Sequence, residues 1–198
     1  MGKIKSALEI ALERSESVKG DKDSIALFEA KQKGKKLAND FLEVVVKSLD
    51  DELKKEPAAT RENLKQGVFD VLLSRITLPV VKDDMERLET AGKALQSIIG
   101  CKRFGEIVKQ FCQLMNQYLD EAAQYEEAIS RQYAPKLRQK EEELSRRLGR
   151  PVKLEPMQDP EFAAFYAQHI NALKANYQAA VDQVREEASQ MFEAARQA

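Results

Sequence analysis

Histidine, tryptophan and cysteine are nearly absent: the 198-residue chain has one His, no Trp and two Cys. That scarcity excludes much chemistry. Di-iron helical bundles need paired Glu-x-x-His turns, yet the residue three before the lone His169 is Tyr166, and zinc centres fail for the same shortage of nitrogen and sulfur ligands. Cys101 and Cys112, if carried on one helix, lie about 16 Å apart, too far to bridge, so they read as reduced thiols. A Cys-His nucleophile pair would also need an activated thiolate and an oxyanion site, and no motif announces either. No catalytic, cofactor-binding or metal-ligating residue is assigned.

A charge of one sign is missing too. Lys plus Arg total 32 against 33 Asp plus Glu, and residues 1–60 are balanced at 12 against 12, so no segment is a basic nucleic-acid arm or an acidic tail. No uninterrupted apolar run reaches the length of a membrane-spanning helix. Glu9 and Glu13 break the first apolar stretch, which removes a secretory signal and leads to a cytoplasmic expectation. The basic stretch Lys31 to Lys36 contains Gly34-Lys35 but lacks the phosphate-loop pattern, because Glu29 and Lys36 occupy the diagnostic positions. It reads as a solvated, mobile or bent helix segment. Asp50-Asp51-Glu52 reads as charged helix surface.

Glycine and proline are also few, 8 and 6, and what fills the chain is helical periodicity. Phe104, Val108, Phe111, Met115, Tyr118, Ala122, Tyr125, Ile129 and Tyr133 recur at steps of three and four, a heptad-like seam. Tyr166, Ile170, Leu173, Tyr177, Val181, Val184, Ala188, Met191 and Ala195 form a second seam with one stutter after Tyr177. Gly149-Arg150-Pro151 stops the first helix. Asp159 caps the second, with Pro160 at its first position. About ten connecting residues suit an antiparallel hairpin. Pro135 predicts a kink or short break, and the block Arg138 to Glu143 beyond it reads as a solvated face.

The front half predicts shorter helices. Ile4, Leu8, Ala11 and Leu12 form a stripe ending at Lys19-Gly20, and a second helix starts at Asp21 or Asp23 with Ile25 and Phe28. A stripe of Leu37, Phe41, Val45, Leu49 and Leu53 runs to Pro57. Thr60 caps a helix that Pro79 stops or bends, and Asp83 with Glu86 opens another, closed by Gly100. The expectation is an all-α protein of about six helices. It forms one domain over residues 1–198, subdivided into a docking helix (1–20), a helical front half (21–100) and a long coiled-coil-like C-terminal hairpin (101–198).

The opening Met1-Gly2-Lys3-Ile4-Lys5-Ser6-Ala7-Leu8-Glu9-Ile10-Ala11-Leu12-Glu13-Arg14, followed by Ser17-Val18-Lys19-Gly20-Asp21-Lys22, resembles a family of uncharacterised bacterial proteins. The resemblance is sharpest in residues 1–25. It implies a bacterial cytoplasmic protein and brings no catalytic residues. It also argues against lipidation at Gly2, although residues 1–6 match the loose myristoylation pattern.

The expected function is therefore a non-enzymatic helical scaffold or interaction protein, acting as a homo-oligomer or as a subunit of a larger assembly. Phe111, Met115, Tyr118, Tyr177, Val181 and Val184 are its interface residues, and Ile4, Leu8 and Leu12 its docking stripe. The alternatives are a peripheral membrane or assembly-associated adaptor docking through residues 4–18, and a Cys-His enzyme. No cofactor and no specific nucleic-acid partner is expected.

Overall fold

A computed structural model describes the backbone from Ala7 to Gln197 and the side chains from Ser24 to Gln197. Among these residues there are six α-helices and no strand: α1 (Ala7–Leu42), α2 (Leu49–Lys55), α3 (Ala58–Ser74), α4 (Asp83–Ile99), α5 (Lys102–Leu148) and α6 (Pro160–Gln197), with a 3₁₀ turn at Pro156–Gln158. The chain forms two compact units. The first takes the residues up to Arg75, Thr90–Phe104 and those from Ala188 on, and the second takes Ile76–Glu89 and Gly105–Glu187. The boundaries fall inside α4, α5 and α6 rather than between a front half and a hairpin.

In the first unit α1 and α3 run parallel in fixed register. The Asn63 amide donates to the Leu27 carbonyl (3.4 Å), and Arg75 donates to Asn39 (3.4 Å), each pair separated by 36 residues. Between them the backbones touch. A Cβ on Gly67 would lie 2.0 Å from the Lys31 carbonyl oxygen, and one on Gly34 2.1 Å from that of Leu64. Ala30, Gly34 and Ala38, one turn apart, are all buried, so small residues line the crossing. The Lys31 to Lys36 segment is thus rigid helix, contrary to the mobile reading. Lys31 pairs with Asp70 (2.8 Å) and Lys33 with Glu56 (2.5 Å). Leu64, Val68 and Leu72 of α3 and Leu95 of α4 supply buried core in this unit, and Phe69 stacks on Phe192 at 4.1 Å between centroids.

Several boundaries differ from expectation. Helix α1 runs unbroken through Lys19-Gly20, because one interior glycine costs only about 1 kcal/mol in a helix. It ends earlier than the Leu37–Leu53 stripe implied. Val44 takes a left-handed φ of 62°, its N–H bonded to the Phe41 carbonyl and that of Val45 to the Asp40 carbonyl. This is a Schellman closure with valine in the glycine position. Val44 and Val45 stand exposed, and a new helix starts after Ser48, whose Oγ accepts from the Asp51 N–H. The N-cap of α3 is Pro57, not Thr60, and α3 stops at Ser74, five residues before Pro79. Asp84, rather than Asp83, accepts the Val80 and Val81 N–H groups ahead of α4. Gly100 (φ 71°) and Gly149 (φ 64°) follow the ends of α4 and α5, as read. Helix α5 is continuous through Pro135, so the expected break is absent. The proline is exposed, so the Arg131 carbonyl that loses its partner faces water.

In the second unit α5 and α6 form an antiparallel pair. The Tyr118–Tyr177 rings meet at 5.1 Å and those of Tyr133–Phe162 at 5.1 Å, so fifteen residues forward on α5 match fifteen backward on α6.

Three substitutions test the α1–α3 packing and the end of α1 by urea denaturation. Ala at Gly34 or Gly67 gains about 1 kcal/mol of helix propensity, but the backbone clash outweighs it, giving a net loss of roughly 1–3 kcal/mol or more. A rise in stability would contradict the contact. Val44→Gly relieves the left-handed strain and raises stability by about 1 kcal/mol.

Candidate functional site

Titratable groups converge most closely where the connection between α5 and α6 meets the start of α6. Asp159 is 5% exposed, the only buried residue between Tyr133 and Phe162. Its carboxylate accepts the Tyr133 hydroxyl (2.9 Å) and the Lys140 ammonium (2.8 and 2.9 Å), and its Oδ1 accepts the Glu161 N–H (3.1 Å) in the capping position that the sequence indicated. Lys140 also reaches Glu161 (2.9 Å), and Lys136 lies 3.6 Å from the same carboxylate. Burying one carboxylate is tolerable because its oxygens are all partnered.

Periodicity brings these groups together. Tyr133, Leu137, Lys140 and Leu144 follow steps of four, three and four, so Lys140 holds a seam position rather than the solvated face assigned to the Arg138–Glu143 block. The return strand then zips along α5. The Val152 N–H donates to Ser145 Oγ (2.9 Å) and that of Leu154 to Glu141 Oε1 (2.8 Å), two extended residues matching one helical turn. The apolar neighbours Ile129, Phe162 and Ile170 pack beside Tyr133, with Phe165 and Tyr166 partly buried against them.

Charge pairing sets the protonation of the cluster. The Lys140 hydrogen bond holds Asp159 below its ordinary carboxylate range and does the same for Glu161. Hydrogen bonds to Asp159 and then Glu161 push Lys140 up. Burial, then the Asp159 bond, raises Tyr133. Tyr166, bonded to Glu126, is pushed up to about 12. A lysine held protonated and a carboxylate held ionised make a clasp, not an acid-base pair poised near neutrality.

The expected interface residues lie elsewhere. Phe111, Met115, Tyr118, Val181 and Val184 are buried within the chain and Tyr177 is half-buried against Tyr118, so this seam is occupied intramolecularly. Of the docking stripe, Ile4 lies outside the described residues, and Leu8 and Leu12 lie on α1 with side chains outside them. The Cys112–His169 version of the nucleophile pair is not brought together. Cys112 is buried and, in the α5–α6 register, level with residue 183, about 21 Å along the helix from His169. His169 is exposed, edge-on to Phe165 at 4.5 Å. Asp50 accepts the Ser97 hydroxyl (2.8 Å) and Glu52 pairs with Lys55 (2.6 Å). Among the described residues no group of three or more His, Cys, Asp or Glu side chains is placed to hold a metal, and no helix is long and apolar enough to cross a membrane.

The surface feature left over is on α1. From Ser24 to Glu29 every side chain is exposed, Ile25 at 56% and Phe28 at 63%, whereas burial begins at Ala30. Helix α1 from Ala7 to about Asp21 precedes the start of α3 in the 36-residue register.

An all-helical protein with a clasped α5–α6 hairpin defines the class. The chain belongs to a family of unknown function, DUF6657, whose model matches residues 50–190, so residues 1–25, which carry the resemblance to uncharacterised proteins, fall outside that span. No curated protein and no solved structure matches it.

The clasp predicts a pH dependence. The depressed carboxylates of Asp159 and Glu161 contribute stability above the ordinary carboxylate pKa of about 4, which is lost as pH falls through and below it. Raised Lys140 and Tyr133 contribute below about pH 10 and lose that contribution above it. Thermal melts should therefore be level between about pH 5 and 9, with the acid-side fall shallower in Asp159→Asn. Equal acid slopes in both proteins would contradict this assignment.

Proposed function

We propose that the protein is a non-enzymatic helical interaction protein, working in the cytoplasm as a homo-oligomer or as a subunit of a larger assembly. One observation carries this reading. Helix α1 shows Ile25 and Phe28, three residues apart on one face, to solvent at 56% and 63%, two large apolar side chains on a helix surface. Apolar surface of this kind, with the exposed Glu29 next to it, suits docking onto another helix. Because the α5–α6 seam is filled internally, the contact to a partner belongs on α1, not on Met115 or Val181. The bacterial cytoplasmic setting rests on the resemblance at residues 1–25.

Light scattering after size exclusion, over a tenfold range of protein concentration, tests it with Ile25→Glu/Phe28→Glu beside the native chain. The native chain should exceed the monomer mass, and the variant should be monomeric with an unchanged circular dichroism melt. A native monomer that floats with anionic phosphatidylglycerol vesicles would favour the membrane-adaptor alternative. An oligomer unaffected by the variant would remove α1 as the contact.

A further inference from the structure

We propose that residues 136–158, the tip of the α5–α6 hairpin, form a clasp that opens on its own while the α5–α6 seam stays shut. Three independent features converge on this segment. First, α6 begins at Pro160, and the register pairs Phe162 with Tyr133, so α5 from Lys136 to Leu148 has no helix opposite it. Its partner is the extended return of residues 149–159. Second, the tip has no apolar core. Between Tyr133 and Phe162 the one buried residue is the charged Asp159, Leu137 and Leu144 are only half-buried, and Leu148 and Met157 are exposed at 56% and 59%. Third, Pro135 stands at the boundary and removes a hydrogen bond from the helix, where α5 gives way most easily.

Cohesion at the tip is consequently polar. Asp159 is held by Lys140 and Tyr133, Glu161 by Lys140 and Lys136, and the Leu154 and Val152 N–H groups by Glu141 and Ser145. Arg138 and Glu142 face the same groove as Glu141, Ser145 and Val152, but Glu142 also pairs with Arg146. Segments with few buried apolar contacts open locally at a lower free energy than the global transition. By contrast, the seam from Val108 to Tyr118 buries Val108, Phe111, Cys112, Met115 and Tyr118 in three helical turns. Opening therefore frees the extended return segment before α6 without unpacking the seam.

Hydrogen exchange read by mass spectrometry on the full chain at neutral pH tests this, with Asp159→Asn and Lys140→Gln beside the native protein. In the native protein, amides of 136–148 should exchange at least roughly tenfold faster than those of 108–118. Each variant should speed 136–158 further, again by about tenfold or more, and leave 108–118 and 177–187 unchanged. Equal protection of tip and seam in the native chain overturns the proposal. So does a variant in which both regions accelerate together, since the tip would then open only with the whole hairpin. The native comparison decides the matter even if a variant fails to fold.

Discussion

The register between α5 and α6 is the constraint on which the second unit depends. Once Tyr118 faces Tyr177 and Tyr133 faces Phe162, α5 outruns α6, and the chain has to return along the surplus helix before α6 can begin. That return brings Asp159 to Lys140 and Tyr133. A carboxylate buried at this corner is stable only with cations and donors around it, and Lys140 at a seam position supplies them. Shifting the register by one turn would leave Asp159 buried without its ammonium partner.

A different constraint shapes the first unit, where backbone meets backbone. The close approach of α1 and α3 at Gly34 and Gly67 leaves no room for a Cβ on either side. Small residues at one-turn spacing permit that approach. The parallel register also sets where the α1–α3 contact begins. Helix α3 starts at residue 58 and sits 36 residues out of step with α1, so the early turns of α1 have nothing of α3 beside them.

Much of this architecture was legible in the sequence. The heptad steps through Phe111, Met115 and Tyr118, the stops at Gly100 and Gly149, and the Asp159-Pro160 start all appear as read, because each depends on local geometry or on a period that no other element disturbs. The misreadings share a cause. Gly34 reads as flexible in isolation, but its missing side chain serves a neighbour 30 residues away. Val44 ends α1 although valine resists a left-handed φ, so no propensity marks the stop. Lys140 looks solvated within a charged block until a buried carboxylate is known to lie beside it, although its place in the three-four pattern was visible. The seam residues were correctly identified as a seam; that both of its sides belong to one chain is a tertiary fact.

That last point is tested most directly by cross-linking paired cysteines. With Cys101 and Cys112 replaced by Ser, the pair Tyr118→Cys/Tyr177→Cys should be joined by a short bismaleimide into a cross-link within one chain that migrates as a monomer. Tyr118→Cys/Val184→Cys, two turns out of register, should not cross-link. A covalent dimer from the first pair, or efficient closure of the second, would contradict the account, the former by placing the seam between two copies and the latter by refuting the register.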